Sequence, residues 1–204
     1  MDELRTELDP FLNESRAFEH INRFCPSSCR IYFPRFYGVI TDLDYSKYPS
    51  RYKLRRRAVV LEAIKPELAS RRILAAGTLL ASGLAEEFSR RLRELSLCLF
   101  EMQWYESLFE NRIRRITALY DLGITHGDIR DDHFRLRGDF YDTVLHDFSV
   151  SYTFSPTKRP YLVSFRKPRP LEEIKSHEQR QVQEQVFKRL GTPVSTVMTA
   201  LICV

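Results

Sequence analysis

Two stretches decide the reading of this chain: Thr125–Phe134, THGDIRDDHF, and His146–Ser149, HDFS. The first packs two histidines and three aspartates between a helical run and apolar residues at Phe134–Leu136. A turn at Arg137-Gly138-Asp139 and a second strand at Thr143–His146 are predicted to follow. Two antiparallel strands joined by a turn bring Asp147 back close to Asp128. Paired carboxylates at strand ends suit a divalent cation, or acceptance of a proton from a hydroxyl. Two other readings of the same residues stand beside this one. Both stretches could be polar turns flanking core strands. His126, Asp128, His133 and His146 could hold a transition metal, although strand alternation points His146 away from Asp147.

Working outward, Asp9-Pro10 reads as an N-cap with proline at the first helical position. The helix that follows sets Phe11, Phe18 and Ile21 on one stripe, and Glu14 falls on the same stripe. Spacing alone leaves Glu14 either pointing inward or reaching water at the stripe's edge. Residues 34–40 (PRFYGVI) and 58–64 (AVVLEAI) read as strands, separated by a long polar excursion. Lys65-Pro66 ends the second. A helical block then runs to about Leu122, broken at Gly77 and Gly83. Its last helix spaces Leu108, Phe109, Ile113, Ile116 and Leu119 on one face, and Gly123 is its C-cap. Beyond Ser155 proline and positive charge dominate to Pro170, and a basic, glutamine-rich helix is predicted over Leu171–Leu190. No internal repeat is visible.

The 204 residues, 43% hydrophobic and 12% aromatic, support a packed globular protein rather than a disordered one. The net charge of +5 is mild. The basic clusters KLRRR (53–57), RRLR (90–93) and RIRR (112–115) read as solvated helix faces. They lack the interleaved aromatics of a base-stacking surface, so nucleic acid is not an expected partner. Cys25, Cys29, Cys98 and Cys203 form no disulfide or zinc framework, which suggests reduced thiols in an intracellular, cytoplasmic protein. The opening MDELRTELDP has no apolar core of a signal peptide. The apolar run Val194–Val204 falls short of the ~20 residues that a membrane span needs.

The order of these pieces resembles the protein-kinase superfamily, in particular its small, divergent fungal-type members. THGDIRDDHF is similar to the catalytic loop (His-Arg-Asp, with Asn five residues after the Asp), in the His-Gly-Asp form of aminoglycoside-phosphotransferase-like kinases. HDFS resembles the metal-binding Asp-Phe-Gly motif. NESRAFEHI (13–21) resembles the helix carrying the family's glutamate, PRFYGVI the strand after it, and VVLEAIKP (59–66) the last N-lobe strand entering the hinge. The resemblance covers roughly residues 11 to 150. It implies ATP and Mg²⁺, with Asp128 orienting the acceptor hydroxyl and Asp147 holding the metal between the phosphates. It makes His126 a structural residue packed on Phe148, and Leu61 the gatekeeper. Glu62 and Ile64 would offer backbone groups to adenine, and Glu14 becomes the inward glutamate that pairs with the phosphate-binding lysine.

The chain also departs from that pattern. Only MDELRTELDPFLN precedes Glu14, with neither the glycine-rich loop nor the lysine. A glycine-rich strand pair and a lysine encoded upstream of Met1 would make the chain a fragment of a full kinase. His133 stands at the second Mg²⁺ ligand, where an imidazole poorly suits a cation that prefers oxygen. Asp131 or Asp132 would substitute there or simply solvate the loop. Ser149 replaces glycine, and no Ala-Pro-Glu segment follows. The expected fold is therefore α+β, a truncated two-lobed kinase-like fold with an incomplete N-lobe sheet and a mainly helical C-lobe. Residues 1–64 would form the partial N-lobe, 65–190 the C-lobe and 191–204 a tail. The expected function is an impaired ATP-dependent phosphotransferase. The alternatives are a pseudokinase binding or regulatory module, or a non-kinase α+β interaction protein. The open N-lobe edge would invite a protein partner or self-association.

Overall fold

Asp9 starts the first helix as its chemistry requires: its carboxylate accepts the Phe11 and Leu12 N–H groups at 3.0 and 3.3 Å, and Pro10 needs no such partner. This helix, α1 (Pro10–Phe24), belongs to a computed structural model that describes residues 9–44, 56–64, 83–136, 141–154 and 170–191. The predicted break at Gly77, the turn at 137–139, most of the basic stretch before Pro170 and the tail from 192 onward lie outside the described residues. The fold is α+β, with four helices and two two-stranded sheets among the described residues. None of the described helices is long and apolar enough to cross a membrane.

β1 (Phe36–Ile40) pairs antiparallel with β2 (Ala58–Leu61), with a register irregularity between Phe36 and Gly38. Both predicted strands are present, the second ending three residues early. α1 lies against this sheet, and Phe18 stacks on Phe36 at 5.9 Å. α2 (Gly83–Arg93) buries Phe88 and Leu92, and Phe88 stacks on Phe109 at 4.2 Å. α3 (Leu99–Asp121) is buried on nearly every side, which makes it the central post of the molecule. It ends where Gly123 takes φ +70° and its N–H bonds the Tyr120 carbonyl, a C-terminal geometry that glycine adopts without a Cβ penalty. β3 (Ile124–Thr125) pairs with β4 (Tyr152–Thr153), and α4 (Leu171–Gly191) packs on α3 with Val182 and Val186 fully buried.

Two expectations need correction. Residues 134–136 and 143–146 do not form a ladder. The Thr143 N–H bonds the Phe134 carbonyl and the His146 N–H bonds the His133 carbonyl, but the Leu145 N–H between them turns to Tyr32. A 3₁₀ turn at Asp131–His133 uses up the start of the would-be hairpin. The cluster at 112–115 is not a solvated face either. Arg112 is 0% exposed and Arg115 4%.

Candidate functional site

The loop from Thr125 to Phe134 leaves β3 against the face of α4. Glu178, 2% exposed, receives it: Oε1 accepts the Gly127 N–H at 2.6 Å, while Oε2 accepts the His126 N–H at 3.3 Å and the Tyr120 hydroxyl at 2.8 Å. Burial pushes the Glu178 carboxyl up, against three donors that favour its ionised form. Gly127 sits at φ +81°, where a Cβ would come within 2.2 Å of the Val150 carbonyl oxygen. Only glycine fits between the loop and the segment after HDFS.

His126 is fully buried. Its Nε2 lies 3.0 Å from the His146 carbonyl, so Nε2 carries the proton and donates. Burial holds this imidazole down to about 4, so it is neutral across the physiological range. Its ring lies 5.3 Å from Phe148, and Phe148 meets Phe18 of α1 edge-on at 4.9 Å. One stack of rings thus joins the glutamate helix, HDFS and the HGD loop. At the other end of α1, Asn13 donates to the Ser149 carbonyl at 3.3 Å.

His133 brings the acidic groups together. Its Nε2 lies 3.4 Å from an Asp147 oxygen and 4.0 Å from one oxygen each of Asp128 and Asp132. One side chain therefore spans the gap between Asp128 and Asp147. Asp147 itself has φ +62°, a left-handed backbone rare outside glycine. The Ser149 hydroxyl at 2.6 Å and its N–H at 3.4 Å hold the other Asp147 oxygen. Burial pushes the Asp147 carboxyl up, but these bonds and His133 outweigh it and keep the group below the usual carboxylate range.

Glu14 faces this cluster from α1. Burial, then repulsion from Asp147, pushes its carboxyl up to about 7, against a single bond from the Phe148 N–H. Among the described residues no cation pairs with it. The inward orientation that the helical stripe left open is the one adopted.

Behind the loop, Arg112 grips Asp142 through two bonds, at 2.6 and 2.8 Å, and Asp131 at 2.7 Å. Arg135 also reaches Asp131 at 2.5 Å, and Arg189 of α4 reaches Asp142 at 3.3 Å. Asp131 is thus tied to the scaffold rather than offered to a metal. Asp132 is 69% exposed at its side chain, in keeping with loop solvation.

Leu61, Glu62 and Ile64 form a separate group at the end of β2. The Glu62 N–H bonds the Arg35 carbonyl at 2.9 Å, and its carboxylate takes the Arg35 N–H at 3.1 Å. Leu61 packs against the core.

No protein-family model matches this chain, and comparison with curated proteins and with solved structures finds no match either. The site must be judged on its own chemistry. Among the described residues no three His, Cys, Asp or Glu side chains are grouped to hold a metal ion. Mg²⁺ wants a near-octahedral set of oxygens. Here one Asp147 oxygen is taken by Ser149, and His133 presents nitrogen where a second ligand would stand. These residues do not fit the two-ion arrangement that the kinase resemblance implies. The four-residue transition-metal set fares no better, because its side chains are not among any group placed to hold an ion among the described residues.

Three functional positions escaped the sequence reading. Glu178 sits on a stripe with Val182 and Val186, the same inward-carboxylate pattern that drew attention to Glu14. Arg112 is interleaved with Ile113 and Ile116 on a helix buried on nearly every side, where an apparent charge run is structural. Arg130, inside the quoted loop itself, reaches Asp128 at 3.0 Å.

Proposed function

We propose that this chain is a protein-kinase-like domain derived from an ATP-dependent phosphotransferase acting on a hydroxyl. In the 204-residue chain that activity is impaired. The observation that carries the reading is the meeting of Asp128 and Asp147 across His133, with the ring stack Phe18–Phe148–His126 linking them to the Glu14 helix. Three segments that the resemblance orders in sequence converge on one site. On this reading α1, β1 and β2 make a partial N-lobe, and α2 to α4 a helical C-lobe.

Asp128, 37% exposed at its side chain, orients the acceptor hydroxyl and takes up its proton. His126, neutral and buried, holds the HGD loop to the His146 backbone. Leu61, Glu62 and Ile64 offer an apolar wall and backbone groups to adenine at the end of β2. The metal, where the wider family uses one, supplies charge neutralisation between phosphates. In this chain the residues around Asp147 leave that chemistry unprovided for. Residues 1–13 contain neither lysine nor glycine, and Glu14 has no cation beside it among the described residues.

Phosphoryl transfer depends on positioning and charge neutralisation, with kinases turning over at about 1–100 s⁻¹. Losing one preorganised electrostatic contact costs roughly 10²–10³ in rate. These 204 residues assayed alone, with neither lysine nor glycine in residues 1–13 and with His133 at the second ligand position, are expected to turn over at roughly 10⁻⁵ s⁻¹ or below. A binding or regulatory role for a nucleotide site here is favoured by the same Glu14, which no cation pairs among the described residues. The exposed Tyr37 and Val39 on β1 offer an edge for self-association.

The test is a radiolabelled-ATP phosphotransfer assay with a parallel nucleotide titration, comparing the chain with Asp147→Asn. Nucleotide affinity no tighter than about 0.1 mM, little Mg²⁺ dependence and equal background turnover are expected. Turnover near one per second that Asp147→Asn abolishes would show that phosphotransfer is intact in this chain and not impaired. Absence of adenine-nucleotide binding at millimolar concentration would remove the roles given to Glu62 and Ile64.

A further inference from the structure

The hydrogen bonds around His133 assign its protons. Nδ1 lies 2.7 Å from the Asp128 carbonyl oxygen, which can only accept, so Nδ1 carries a hydrogen. Nε2 lies 2.7 Å from Nη2 of Arg130, and a guanidinium can only donate. Nε2 is therefore the acceptor, with its lone pair directed at Arg130. That lone pair is the one a metal ion would need. The same guanidinium reaches Asp128 at 3.0 Å and Asp132 at 3.9 Å through Nε. The Asp147 carboxylate stands 3.4 Å from the imidazole nitrogen that Arg130 caps. Asp128, Asp132 and His133 are thus all within reach of one fixed positive charge, and Asp147 meets the same imidazole nitrogen that this charge caps.

We propose that Arg130 is a built-in counter-cation. Its guanidinium occupies the place of a second divalent ion and excludes one from the Asp128–His133–Asp147 cluster. The planar, always-charged fork of arginine suits this position, since it can bond a carboxylate and an imidazole nitrogen at once. A divalent cation entering the cluster must break the bond to His133 and approach a fixed charge in a half-buried site, where repulsion is only partly screened. The inference rests on the phosphotransfer reading only for the kind of ion that the site would otherwise take. It concerns metal binding, which can be measured without nucleotide or turnover.

The experiment titrates Mn²⁺ into the full chain and follows water-proton relaxation. Mn²⁺ accepts both carboxylate and imidazole ligands, and its binding is directly visible. Wild type, Arg130→Gln and the double variant Arg130→Gln/Asp147→Asn are compared, with thermal melts confirming that each is folded. Arg130→Gln is expected to bind Mn²⁺ at least about tenfold more tightly than wild type, and the added Asp147→Asn to erase the gain. Equal affinity in wild type and Arg130→Gln overturns the proposal, and so does a gain that survives Asp147→Asn. Should Arg130→Gln fail to fold, Arg130→Lys carries the test. Lysine keeps a charge but not the fork, so a smaller gain supports the proposal and unchanged affinity overturns it. ATP titrations run beside these separate the two ideas. Loss of nucleotide binding in every variant would count against the kinase-like reading while leaving the Mn²⁺ comparison intact.

Discussion

The two faces of the Thr125–Phe134 loop are built to different standards. Its back face rests on buried charged groups that each hold several specific partners. Glu178 takes three donors from the loop and Tyr120, and Arg112 is matched by Asp142 and Asp131. Its front face carries Glu14, an inward carboxylate with one N–H donor and a second carboxylate as its neighbour. Both glutamates lie on the apolar stripe of a helix, and in the sequence they look alike. One is a finished structural post. The other is half of an arrangement whose cation is missing among the described residues. On the proposed reading, holding the loop in shape and neutralising a phosphate site are separable properties, and the described residues supply the first.

The largest predicted effect breaks the back face. Arg112→Met removes the partner of the fully buried Asp142 and one support of Asp131. Breaking a buried ion pair on one side typically costs about 3–5 kcal/mol, since the remaining charge is left uncompensated. Arg189 at 3.3 Å from Asp142 offsets part of this, so about 3 kcal/mol is expected in urea denaturation. A loss below about 0.5 kcal/mol would mean that the buried network does not hold the loop.

The next effect sharpens the comparison through an isosteric change at each glutamate. Glu178→Gln turns one acceptor into a donor that faces the loop's own N–H groups or the Tyr120 hydroxyl. A buried, mismatched donor costs roughly 1–3 kcal/mol. Glu14→Gln should act in the opposite direction. Its folded-state carboxyl is raised from 4.5 to about 7, so ionised Glu14 penalises the folded form above that pH. As pH falls from about 7 to 4.5, the folded protein takes up a proton that the unfolded chain does not, and the penalty fades. Glu14→Gln is expected to stabilise the chain by about 1–2 kcal/mol at pH 8, after discounting for partial exposure, and by nothing near pH 4.5. His126 works the other way in the same window, because its folded value near 4 lies below 6.5 and its contribution is lost as pH falls. Both proteins share His126, so the difference between their stability curves isolates Glu14. A destabilising Glu14→Gln at pH 8 would show that a cation does reach the carboxylate.

What the sequence made legible was local. Asp9-Pro10 announces a cap, Gly123 a helix end, and the runs PRFYGVI at 34–40 and AVVLEAI at 58–64 a pair of strands, because each signal needs only its neighbours. The spacing of the HGD and HDFS motifs also brought Asp128 and Asp147 to one place. The hairpin between them was less well drawn, because Leu145 spends its N–H on Tyr32, a partner more than a hundred residues away. Glu178 was hidden for a similar reason. A glutamine-rich, basic helix looks solvent-facing until its partner loop is known, and only the Glu178–Val182–Val186 spacing hinted otherwise. Arg112 and Arg115 misled because arginine runs usually face water, whereas α3 has almost no side that does.

The claim that no cation among the described residues pairs with Glu14 is tested most directly by a carbon-13 NMR titration of the Glu14 side-chain carboxyl in the full chain. The account predicts a midpoint near 7, moving downward when Asp147→Asn removes the neighbouring charge. A midpoint at or below the ordinary 4.5 would contradict it, since a half-buried carboxyl with one N–H donor and Asp147 beside it needs a positive group to titrate that low.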